Sequence, residues 1–179
     1  MTAAPRTFAA AIVLALAVGL AGCADTASTT SGPSLADTKS PVQLLRNEAA
    51  DRIPAGVVAE VRNGNDGSHA CEALADDPDG KLRSWRSDVS IVLTPESELE
   101  LVVSKLLISF TTDGWEKSAS STSTSFEFTR EGSAADVAVT TTPASGGTGA
   151  VILVDVEGPC VMTAGQGSDE VRKLESSAN

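Results

Sequence analysis

The sequence predicts an α+β fold, a two-layer sandwich with an antiparallel sheet of about five strands covered by two helices. Three observations carry that reading. Two segments repeat apolar residues at helical spacing on one face. Five others alternate apolar and polar residues, as strands with one solvated face do. Their order, α-β-β-α-β-β-β, gives two one-faced helices a single sheet to cover.

The first helix is expected to open at Ser40-Pro41-Val42-Gln43, which has the form of a capping box with proline at the first helical position. Val42, Leu45, Ala49 and Ile53 follow near helical spacing, and Pro54 and Gly56 end the segment. Val57, Ala59 and Val61 alternate as a strand, and Asn63 to Gly67 (NGNDG) reads as its stop. Leu82 to Leu93 is the second strand, with Val89, Ile91 and Leu93 on one face.

Thr94-Pro95-Glu96 is expected to open the strongest helix, over residues 95–112, with a threonine cap and acids at the positive end of the dipole. Leu99, Val102, Val103, Leu106, Leu107 and Phe110 form its apolar stripe, and Leu101 with Ile108 a second, weaker one. That second stripe needs the first helix, a loop, a ligand or a partner to cover it. Residues 121–130, 135–141 and 150–157 are the last three strands, led by Phe126/Phe128, Val137/Val139 and Ile152/Val154/Val156. The polar stretch 164–179 reads as a loose tail with room for a short helix at 169–174.

Composition excludes several functions. The 179 residues carry 13 Lys and Arg against 24 Asp and Glu, a net charge of −11, which is the wrong sign for a nucleic-acid binder. A 41% hydrophobic content is too high for a wholly disordered chain. One histidine and three cysteines leave little material for a His/Cys metal site, and no metal or cofactor is expected.

The N-terminus reads as an address. Arg6 precedes an unbroken apolar run, Phe8 to Leu20, which is short for a membrane helix of ~20 residues. Leu20-Ala21-Gly22-Cys23 follows, and it resembles the bacterial lipobox. The resemblance implies cleavage after residue 22 and a diacylglycerol on the sulfur of Cys23, which would anchor the chain on the extracytoplasmic face of the cell membrane. Residues 23–40, rich in Ser and Thr with Leu35 the one large apolar residue, read as a disordered tether, leaving a single domain over 41–163. The lipobox, the words Asp113-Gly114-Trp115 and Val156-Glu157-Gly158-Pro159-Cys160-Val161, and the Ala/Gly/Ser/Thr/Val bias together resemble small actinobacterial lipoproteins of mycobacterial type. That resemblance carries over no catalytic residue.

With Cys23 acylated, Cys71 and Cys160 remain, an even pair in an oxidising compartment, and a disulfide between them is expected over buried or reactive thiols. The search for chemistry yields little. His69 lies two residues from Cys71, but a bonded cysteine is no nucleophile, and His69 reads as an exposed loop residue. No G-x-S-x-G elbow and no Gly-rich loop before a helix occurs. Asp76, Asp77 and Asp79 fail the EF-hand register, because Ala75 and Arg86 fall where the first and last ligands belong. Asp155 and Glu157 share a strand face and read as solvated. Trp85 and Trp115 read as core. The chain is therefore expected to bind rather than catalyse: an envelope protein as partner, through Leu101 and Ile108, or an apolar ligand such as a lipid held between helix 95–112 and the sheet.

Overall fold

The computed structural model describes residues 32–71, 77, 79–146 and 149–177. The compact unit begins at Gly32. It is a mixed α+β sandwich, with three helices and one seven-stranded sheet of antiparallel pairs among the described residues. In chain order the elements are α1 (Leu35–Asp51), a helical turn (Ala55–Val57), β1 (Val58–Ala70), β2 (Leu82–Leu93), α2 (Leu99–Thr112), β3 (Glu116–Lys117), β4 (Ser125–Thr129), β5 (Asp136–Thr142), β6 (Val151–Glu157), β7 (Val161–Met162) and α3 (Asp169–Ser176). Across the sheet the order is β1-β2-β6-β5-β4-β3, with β7 on β2 beyond the end of β6.

The register explains the core. Val89 faces Val154, which faces Val139, which faces Phe126. Two residues along, Ser87, Val156, Val137 and Phe128 make the next row. Cross-strand partners share a face, so these rows bury together while Asp88, Asp155, Ala138 and Glu127 line the other side. Alternation was therefore a sound guide, and the two strands it missed, β3 and β7, are two residues each, too short to show a period.

Four local readings need correction. The tether was expected to run to residue 40, but α1 starts at Leu35. Ser34 and Asp37 form a capping box, in which the Asp37 backbone N–H donates to Ser34 Oγ and the Ser34 N–H to Asp37 Oδ2. Burial of Leu35 and Thr38 holds that extra turn down, and Pro41 lies inside the helix instead of at its start. Second, β1 does not stop at the NGNDG turn signal. It passes through with a register shift between Asn63 and Asp66. Gly64 makes this possible: a Cβ there would run into the Asp88 carboxylate, and the Asn65 N–H donates to Asp88 Oδ2. Polar residues that read as a turn serve instead as clamps across two strands.

Third, Thr94-Pro95 does not cap α2. The Thr94 N–H is still bound to Val57 O in the sheet, and the Ser97 N–H closes a turn on Thr94 O, so the helix waits until Leu99. Fourth, the tail is not loose. Ser168 caps α3 through the Val171 N–H, Val171 is buried, and the Lys39 ammonium donates to Leu174 O at the C-terminal end of α3.

Candidate interaction surfaces

Cys71 and Cys160 form a disulfide with Cα atoms 6.1 Å apart. It ties the end of β1 to the jog between β6 and β7, so both neighbours of β2 are pinned at one end of the sheet. The Cys71 N–H also donates to Leu82 O. Cys23 and Asp76 lie outside the described residues.

The residues weighed for chemistry are engaged in hydrogen bonds and ion pairs within the fold. Asp77 accepts the backbone N–H groups of Leu82 and Lys81, and these bonds hold its carboxyl below the ordinary aspartate range. Asp79 pairs with Lys81. His69 is half-buried in β1 opposite Ser84, its Nε2 within 2.6 Å of Asn65 Nδ2, rather than in a loop. The Arg86 guanidinium binds the Asp155 carboxylate through Nε at 2.8 Å, and Ser84 donates to Glu157 Oε1. Trp85 and Trp115 are core residues. The Trp85 indole N–H donates to Asp66 Oδ1, whose other oxygen accepts from Gln43, and Lys39 lies over its ring at 4.8 Å. Among the described residues, no group of three or more His, Cys, Asp or Glu could hold a metal ion.

A cavity of about 480 Å³ opens beside the disulfide on the outer sheet face, lined by Glu127, Asp136, Asp155 and Glu157. Desolvation, then the like charges of Glu157 and Glu127, push the Asp136 carboxyl above its ordinary range. A wider groove of about 730 Å³ lies between the end of α1 and β1.

The space expected to hold an apolar ligand, between α2 and the sheet, is filled. Val102, Leu106 and Phe110 point into it and are buried. Phe110 stacks on Phe128 at 4.4 Å and meets Trp115 edge-on at 5.9 Å. Arg52, at the end of α1, covers the Phe110 ring at 4.6 Å and donates to Ser109 and Asp113, closing the space where the helices meet. Leu99, Val103 and Leu107 are half-buried at its rim.

Leu101 and Ile108 point the other way. They are 50% and 61% exposed, two turns apart on one side of α2, with exposed Lys105 between them. Nothing among the described residues covers this stripe. Among the described residues no helix is long and apolar enough to cross a membrane.

No protein-family model, curated protein or solved structure matches the chain.

Proposed function

We propose that the chain is an extracytoplasmic lipoprotein, anchored in the cell membrane by a lipid on Cys23, that acts as a non-catalytic interaction module of the envelope and meets its protein partner through Leu101 and Ile108. One observation carries the binding role: two large aliphatic side chains remain in water on a helix whose opposite side is packed tightly. Isolated apolar residues are ordinary on protein surfaces, but an aligned pair on one helix face suits helix-face recognition.

The anchoring role rests on Leu20-Ala21-Gly22-Cys23 after an apolar run, the motif on which the resemblance to actinobacterial lipoproteins also stands. Two acyl chains bury enough CH₂ groups, at ~0.8 kcal/mol each, for stable attachment. The strongly acidic body would be repelled by an anionic membrane, and the chain between Cys23 and Ser34 provides a spacer.

Two experiments test the two halves. Cys23→Ala should move the protein out of the membrane fraction, and a variant that remains membrane-bound would contradict anchoring through that sulfur. A photo-activatable residue in place of Lys105 should cross-link a discrete envelope protein in cells, whereas one in place of Thr140, on the outer sheet face, should not. Equal adducts from both positions would contradict recognition through α2. The carrier reading has little to stand on, because core side chains occupy the space it requires.

A further inference from the structure

We infer that the free edge of β1 is a self-complementary surface, on which a second copy of this chain pairs antiparallel about a two-fold axis at Val61. This stands apart from the α2 reading and uses none of its residues. Among the described residues β1 ends the sheet and pairs with β2 alone, and residues 59–65 are exposed. An edge strand presents unpaired N–H and C=O groups to any strand that fits. The opposite edge, β3, is only two residues long and offers little to pair with.

The hydrogen-bond phase of β1 is fixed at both ends. Val57 O accepts from Thr94 N–H, and Cys71 N–H donates to Leu82 O. Alternation between those points, through the observed register, turns the backbone groups of Glu60 and Arg62 toward Val92 and Ser90 of β2. Val61, between them, turns its N–H and C=O to the open edge, as does Asn63. Residues 60–63 pair regularly with β2 between two register shifts, which sets the length of the window open to a partner strand.

The side chains are complementary under the same symmetry. With Val61 opposite Val61 of the second copy, Glu60 falls opposite Arg62 of that copy and Arg62 opposite its Glu60. Within one chain the two already form an exposed ion pair at 2.6 Å. Two-fold pairing joins two such pairs into a ring of four alternating charges, a neutral patch on an otherwise acidic molecule. On the helical side, Val61 is 58% exposed at the rim of the groove lined by Ala50, Ile53, Pro54, Val58 and Ile91. The second copy would bring its own Val61 and its own groove against that rim.

The test uses the full chain in detergent micelles with Val61→Cys and a short bismaleimide, the bridged peptide identified by mass spectrometry. Self-pairing predicts a 61-to-61 bridged dimer. Glu60→Arg or Arg62→Glu alone places like charges opposite each other at both symmetry-related sites and should cut its yield roughly 5- to 10-fold, the factor that about 1 kcal/mol summed over the two like-charge pairs implies. The double change Glu60→Arg with Arg62→Glu restores opposite charges and should restore the yield. Both side chains are more than half exposed, so thermal melting at a dilution where the chain is monomeric should stay unchanged in all three variants. Failure to bridge while the introduced thiol reacts with a monofunctional maleimide, indifference to the single reversals, or a bridge to a different protein would each overturn the inference.

Discussion

The two long helices lie on the same sheet in different ways. α1 approaches β2 and β6 closely because small groups meet there. Gly158 lies against Val42 and Thr38, and Ala49 is fully buried. Polar clamps then fix α1: Gln43 to Asp66, Lys39 to α3, and Ser34 to Asp37 at its start. α2 rests on an aromatic cushion of Phe110, Phe128 and Trp115, has no side-chain cap at Glu98, and leaves Leu101 and Ile108 in water. Both halves leave large aliphatic side chains in water, Leu44 on α1 and Met162 on β7 as well as Leu101 and Ile108, but the pair on α2 lines up on one helix face.

The largest effect should come from the disulfide. Cys71→Ser opens a loop of sequence separation 89, and the chain-entropy estimate for such a loop is ~4–5 kcal/mol. Chemical denaturation should show that loss, and adding Cys160→Ser should change little more, since the bond is already gone. Full additivity of the two changes would mean the cysteines act separately. On the α2 side, Phe110→Ala should cost ~3–5 kcal/mol, as truncation of a buried aromatic does. A loss below about 1 kcal/mol would mean the cushion is not packed as described. Gly158→Ala should cost ~1–3 kcal/mol, because the new Cβ would lie 3.0 Å from Val42 Cγ2, which would have to give way against the packed face of α1. A neutral outcome would show that α1 has slack.

Smaller, and opposite in sign to each other at neutral pH, are the carboxylate effects. Asp136 has a raised pKa in the fold, so its charge costs stability in full above that value, and the cost fades as pH falls from there to the ordinary aspartate range, below which it is gone. Asp136→Asn should therefore raise the melting midpoint at neutral pH and leave it nearly unchanged in acid. Asp77 has a lowered pKa, so its contribution is complete above the ordinary range and is lost as pH falls through the folded value. Asp77→Asn should lower the midpoint at neutral pH and matter least in acid. Reversed signs would contradict the assigned partners, the like charges around Asp136 and the backbone donors around Asp77.

How much of this was legible in the sequence depends on the range of the interactions. The rows led by Val89, Val137 and Val154 were legible because a strand's period is local. The inward stripe of α2 follows from helical spacing alone, whereas the spacing shows Leu101 and Ile108 only as a second stripe, and it takes the fold to show that α1 does not cover them. The start of α1 was not legible. Ser40-Pro41 carries a stronger cap signal than Ser34-Leu35-Ala36-Asp37, and what decides the matter is burial of Leu35 in a core assembled from distant strands. β1 likewise crosses a turn-like sequence because Asp88, Trp85 and Gln43 supply partners to its polar residues. Those partners lie 23, 19 and 23 residues away, beyond any local signal. The α3 tail was hidden for the same reason, since Lys39 and Ser68 hold it from far upstream.

The claim that α2 carries the partner surface is tested most directly by changing Leu101 and Ile108 to Ser together in the chain that bears the photo-activatable residue at Lys105. Their exposure predicts a melting midpoint close to the parent, with a stability change within about 0.5 kcal/mol per site, and loss of the cross-linked envelope protein. A midpoint that falls as it does for Phe110→Ala, or a cross-link that persists undiminished, would contradict it.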